Sequence, residues 1–68
     1  MFDEILFQDI VENTDYSFSY LIKLFRKYNM PYKIILNRED IIELLEILRN
    51  DINTQKKYKL YIYLKTLV

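Results

Sequence analysis

Apolar residues recur along the middle of the chain at helical spacing. Phe18, Leu21, Ile22, Phe25 and Tyr28 follow the i, i+3, i+4, i+7 rule, which predicts a one-faced helix over residues 16–28. Thr14 or Asp15 supplies the N-cap chemistry. Pro31 disfavours an α conformation at Met30, so this helix ends near Tyr28 or Asn29. The next run, Tyr32-Lys33-Ile34-Ile35-Leu36, is short, aromatic and β-branched and reads as a strand. Asn37 is then suited to cap a helix from Arg38 to about Asn50, with Glu39 and Asp40 in the first turn, where the helix dipole favours acids. Ile41, Ile42, Leu44, Leu45, Ile47 and Leu48 cover more than half the circumference of that helix. An ordinary core-facing stripe spans roughly 100°. The helix is therefore expected to be covered on two sides, by the sheet and by another helix or another chain.

The two ends are less regular. Phe2 to Glu12 has helix-like apolar spacing that Asp9 interrupts, and it is taken as an amphipathic helix. At the other end, a helix continuing from Arg38 to residue 68 would carry Gln55, Lys56 and Lys59 into its apolar stripe, and Asn50 to Thr54 is turn-like. Lysines at 56, 57 and 59 would also oppose the dipole in the first turns of a new helix. Residues 58–65 are accordingly read as a strand with Tyr58, Leu60, Ile62 and Leu64 on one face and Lys59, Tyr61, Tyr63 and Lys65 on the other. The competing reading is a helix whose face is Leu60, Tyr61, Leu64, Leu67 and Val68. The expected fold is α+β, one small domain over residues 1–68, in the order helix, helix, strand, helix, strand with a two-stranded sheet; the alternative is all-α with four short helices. A strand–helix–strand unit of this size suits a right-handed parallel crossover and leaves open sheet edges for a further strand to join.

Composition narrows the chemistry. The 68 residues are 51% hydrophobic and 29% charged, which argues for a folded core. There is no Cys and no His, so disulfides, thiolate nucleophiles, imidazole acid/base catalysis and Cys- or His-liganded metals are excluded. There is no Gly, and Gly-rich phosphate loops and dinucleotide fingerprints cannot be built. Chains this short bury only about 60% of the surface their unfolded forms expose, so dense packing or association with another chain is expected to supply stability. Acidic residues at Asp3 and Glu4 and the lack of a long apolar run point to a cytoplasmic protein with no membrane segment. Abundant Ile, Tyr, Lys and Asn with no Ala or Gly suggests an AT-rich coding sequence of bacterial, phage or viral type.

The net charge is zero, yet the charges are sorted into blocks. Residues 1–15 carry five acids and no base, and residues 16–38 carry five bases and no acid. Residues 39–51 hold five acids against Arg49, and residues 52–68 hold only bases, Lys56, Lys57, Lys59 and Lys65. Such blocks allow elements of opposite sign to pack together or leave one sign exposed for a partner. On the 16–28 helix, Tyr16, Tyr20, Lys23 and Lys27 share the face opposite the apolar stripe and form the first candidate binding surface. Glu39, Glu43 and Glu46 make an acidic ridge on the following helix.

Carboxylates on an exposed helix do not converge as acid/base pairs, the hydroxyls have no His to activate them, and no Ser-x-x-Lys spacing occurs. No catalytic residue, metal ligand or cofactor is assigned. The expected function is a non-enzymatic protein–protein interaction module, a small regulator or inhibitor that self-associates as a homo-oligomer or docks on a larger protein. Its candidate contact residues are Tyr16, Tyr20, Lys23 and Lys27, with Leu44 and Ile47 on the wide apolar helix and Tyr61 and Tyr63 on the outer face of the last strand. The alternative is nucleic-acid binding through Lys23, Arg26, Lys27, Lys33, Lys56, Lys57 and Lys59 with tyrosines stacking on bases. A pI near 6.2 weighs against it.

Overall fold

Two three-residue strands each run straight into a helix, and each helix is followed by a second one. The computed structural model describes residues 3–68. Strand β1 (Glu4–Leu6) leads into α1 (Phe7–Asn13) and α2 (Phe18–Lys27); β2 (Ile35–Asn37) leads into α3 (Arg38–Arg49) and α4 (Gln55–Leu67). The strands pair antiparallel, with Glu4 opposite Asn37, Ile5 opposite Leu36 and Leu6 opposite Ile35. The result is a small α+β domain built as two strand–helix–helix halves.

The halves are related by a local pseudo-two-fold centred on the Ile5–Leu36 pair. The Phe7 N–H donates to the Ile34 carbonyl at 2.9 Å, and at the equivalent position the Arg38 N–H donates to the Asp3 carbonyl at 3.2 Å. The sequence keeps the same phase: Asp9-Ile10-Val11-Glu12 in α1 falls on Asp40-Ile41-Ile42-Glu43 in α3. Ile10 and Ile41 are both fully buried. Leu21 and Phe25 of α2 occupy the core positions that Leu60 and Leu64 fill in α4. Each half presents one apolar helix face inward, and the core closes between them with no buried polar or charged residue among those described.

Local chemistry sets the helix limits. Ser17 caps α2 by accepting from the Tyr20 N–H, in place of the expected Thr14 or Asp15. Thr14 instead donates to the Ile10 carbonyl at the end of α1. α2 stops in a Schellman arrangement: the Met30 N–H donates to Phe25 O, the Asn29 N–H donates to Arg26 O, and Asn29 takes φ 58°. A left-handed Asn followed at short distance by Pro31 ends the helix where the sequence places its end. Asn37 and Asp40 form a full capping box at the start of α3, each side chain accepting from the other's backbone N–H.

Several expected elements are corrected. Glu4 to Leu6 form a strand, not the first turn of a helix, and the helix begins at Phe7; Phe2 lies outside the described residues. Starting there puts Phe7 and Ile10 on the core and takes Asp9 out of the apolar stripe. Of the 32–36 segment, only Ile35 and Leu36 are strand. Residues 58–65 are helical: Leu60 and Leu64 are fully buried while Tyr58 and Ile62 are exposed, a burial period of four where a strand would show two. The element order is thus strand, helix, helix, strand, helix, helix, and the pairing is antiparallel without a parallel crossover. The second cover on α3 is α4 of the same chain, which leaves Leu44 fully buried and Ile47 half-buried.

Candidate functional site

A cleft of about 400 Å³ opens between α2 and the start of α4. α2 contributes Tyr20, Lys23 and Lys27, which lie three and four residues apart and so on one side of the helix. Tyr16 precedes the helix and closes one wall, and Lys56 and Lys57 enter from the first turn of α4. Thr54 caps α4 by accepting from the Lys57 N–H at 3.2 Å, so the capping residue also lines the cleft. The expected solvent stripe of Tyr16, Tyr20, Lys23 and Lys27 is therefore assembled in one place, with one correction. Tyr16 is 5% exposed, because it lies before the helix and packs into the core instead of riding on the solvent face.

The four lysines of this cleft are held in two ways. Lys27 and Lys57 pair with one carboxylate, Asp51, at 3.3 and 2.9 Å. The Tyr28 hydroxyl donates to the same Asp51 oxygen at 2.6 Å. The Tyr28 hydrogen bond, followed by those from Lys57 and Lys27, holds the Asp51 carboxyl well below the usual carboxylate range. Burial, with the hydrogen bond to Asp51 and its charge, pushes the Tyr28 hydroxyl well above the usual tyrosine range. Lys56 is positioned without any acid: its Nζ stands 4.4 Å from the Tyr20 ring centroid and 5.5 Å from that of Tyr16. The Lys23 Nζ approaches Tyr20 at 5.8 Å. Among the described residues neither Lys23 nor Lys56 makes an ion pair. Burial, then the Asp51 charge, raises the Tyr16 hydroxyl pKa.

A second surface is apolar. Phe7 is buried at its base, with ring centroids of Phe18, Phe25 and Tyr32 at 5.2, 5.2 and 5.0 Å, all edge-to-face. Phe18 and Tyr32 contact each other at 5.7 Å and are both more than 40% exposed. On the sheet Leu6 and Ile35 form a cross-strand pair with both side chains exposed, and the preceding Ile34 is 66% exposed. Isolated exposed apolar residues are ordinary; five of them on and next to a two-stranded sheet are more than the ordinary scatter.

The other expected contact residues separate. Tyr61 is half-buried and lies with Ile42, Leu45 and Val68 in a shallow depression between α3 and α4, Lys65 over its ring at 5.8 Å. Tyr63 is half-buried toward α1, where burial, then the Asp9 charge, raises its hydroxyl pKa. These two do not share one outer face, because the segment is a helix. Asp51 and Thr54, read in the sequence only as turn residues, turn out to order the cleft. The Thr54-to-Lys57 spacing is the capping signal that could have located it. Among the described residues no group of three or more acids is placed to hold a metal ion, and no helix is long and apolar enough to cross a membrane. Compared with known proteins, the chain matches no family model, no curated protein and no solved structure.

Proposed function

We propose that this chain is a non-enzymatic protein-interaction module, a small cytoplasmic regulator or inhibitor that docks through the exposed apolar residues at the two-stranded sheet and pairs with a second copy through them when free. The observation that carries this reading is the exposure of Leu6, Ile34, Ile35, Phe18 and Tyr32, among which Leu6 pairs with Ile35 across the sheet and Phe18 touches Tyr32, with strands that have one partner each among the described residues. Burying such a group contributes about 25 cal/mol per Å² of apolar surface removed from water. Open strand edges add backbone donors and acceptors that another strand can satisfy.

The test is light scattering over a concentration series, on the native chain and on Ile34→Asp. Ile34 contributes nothing to the buried core, so the variant is expected to keep its helical circular dichroism. The native chain should show a mass that rises toward twice the monomer value, and the variant should remain monomeric. A native chain that stays monomeric at its solubility limit, indistinguishable from Ile34→Asp, would overturn the reading. Nucleic-acid binding is kept as a second reading by one observation, the four lysines and two tyrosines gathered in the α2–α4 cleft.

A further inference from the structure

The α2–α4 cleft uses none of the residues of the apolar face, and its charge is unbalanced by construction. Four ammonium groups line it and one carboxylate, Asp51, answers two of them. The first turn of α4 contains no acid, so the positive end of the helix dipole adds to the lysines instead of being offset. The amides of Gln55 and Lys56 are first-turn donors that the helix itself cannot satisfy. The unpaired acids of the chain, including Glu39, Glu43 and Glu46 on α3, lie on other elements.

Lys56 decides what this potential is for. A lysine held by a carboxylate is fixed and neutralised; a lysine held between two tyrosine faces is fixed and keeps its charge. Tyr16 lines the cleft, its ring is largely buried while its hydroxyl reaches solvent, and among the described residues it uses only its backbone N–H in a hydrogen bond. An ordered, unneutralised ammonium beside a protonated hydroxyl and free helix amides is a preorganised oxyanion receptor. The Tyr20 ring is already approached by two ammonium groups, which leaves little face for a base to stack on. The basic residues are concentrated in one cleft instead of strung along a track, as a strand of nucleic acid requires.

We propose that the α2–α4 cleft binds a compact, multiply charged phosphate group, the di- or triphosphate of a small molecule, with Lys23 and Lys56 as the principal cations and the Tyr16 hydroxyl as a donor. About 400 Å³ is within the range of small-ligand pockets and exceeds what one phosphate fills, so the cleft has room for the group that bears it.

The probe is inorganic pyrophosphate, with inorganic triphosphate alongside, against the full chain at matched ionic strength. Binding is read by calorimetry and by the thermal midpoint, which a ligand of the folded state must raise. The expected result is saturable binding and a raised midpoint, with affinity lowered about ten-fold in Lys56→Gln, the loss of one charge-assisted contact. Lys65→Gln removes the same charge from the far end of α4 and should leave affinity unchanged. Tyr16→Phe should weaken pyrophosphate binding by a smaller factor while preserving the fold. Absence of saturable binding would overturn the proposal, as would equal losses in Lys56→Gln and Lys65→Gln. A single-stranded oligonucleotide or an acidic peptide that binds tightly where pyrophosphate fails to compete would overturn it too, and would assign the cleft to that macromolecule.

Discussion

The two strand–helix–helix halves have the same path and the same core phase, yet they are anchored by different physics. At the strand-to-helix junction of the second half, Asn37 and Asp40 tie the first turn of α3 with reciprocal side-chain hydrogen bonds at 2.9 and 3.0 Å. At the same junction of the first half the capping position is Leu6, which makes no side-chain bond, although Asp9 stands where Asp40 stands. The residue after it compensates. Phe7 is buried with three rings around it, whereas its counterpart Arg38 is only half-buried. α3 runs 12 residues and α1 only 7; the two begin at equivalent positions, so the difference lies at their C-terminal ends. One geometry, repeated, is satisfied once by polar bonds and once by apolar burial.

The largest test of that contrast exchanges both anchor residues for alanine. Phe7→Ala should cost about 3–5 kcal/mol, the usual loss for a buried phenylalanine. A domain of this size has roughly 3–10 kcal/mol in total, so the variant should lose a large share of its stability. Arg38→Ala, at the equivalent position, should cost under about 1 kcal/mol. Urea unfolding of the two variants measures both, and equal losses would show that the halves are not anchored differently.

Breaking the polar anchor comes next. Asn37→Ala should lower stability by about 1 kcal/mol, within the range for N-cap removal. The loss should appear as reduced hydrogen-exchange protection in the first turn of α3, with α1 unaffected. If protection falls equally in both helices, the capping box supports the whole domain and not one half.

A third test addresses what fastens the halves to each other. Tyr28 and Lys27, from the end of α2, meet Lys57, from α4, at Asp51. Tyr28→Phe removes one partly buried hydrogen bond to a charged group and should cost about 1 kcal/mol. Asp51 is depressed in the folded state, so its contribution is present above the unfolded carboxylate value near 3.9 and is lost as the pH falls through the lower folded value. Tyr28 is raised, so its contribution is present below the unfolded tyrosine value near 10 and is lost as the pH climbs through the higher folded value. Native stability minus that of Asp51→Asn should therefore shrink at low pH, whereas the loss in Phe7→Ala should be nearly independent of pH above about 4. A pH-independent Asp51→Asn difference would dissociate the network from stability.

These contrasts also show which parts of the molecule are legible in its sequence. α2 and α3 are readable because apolar spacing, Pro31, Asn29 and Asn37 all mark the same limits. Their agreement survives in the structure down to the Schellman turn and the capping box. The α+β class with a two-stranded sheet is readable too. The identity of its partner strand is not, because three residues, Glu4 to Leu6, are too few to show a period, and only pairing with Ile35 to Asn37 makes them a strand. α4 defeats local rules for a different reason. Its first-turn lysines oppose the dipole, but Asp51, Tyr16 and Tyr20 accommodate them from elsewhere in the fold. The cleft was half-visible, since Tyr20, Lys23 and Lys27 share a helix face in any helical reading. Its other wall depends on the turn at Asn50 to Thr54 bringing Lys56 and Lys57 across, and that is a tertiary fact.

The smallest effect sharpens the comparison most. If the first half differs from the second only in lacking a cap, then Leu6→Asn should install the missing box, the new side-chain oxygen accepting from the Asp9 N–H and the Asp9 carboxylate accepting from the backbone N–H of residue 6. Leu6 is 45% exposed, so little buried apolar surface is lost. Asn is a poorer strand residue than Leu, but Asn37 shows that the terminal position of these strands tolerates it. The balance should be a gain of about 0.5 kcal/mol, the low end of N-cap contributions, seen as a higher urea midpoint with unchanged slope. The same substitution removes one of the exposed apolar residues at the sheet, so it should weaken self-association while the monomer becomes more stable. A destabilised Leu6→Asn would mean that the side chain at this position does more for the monomer than a cap can replace.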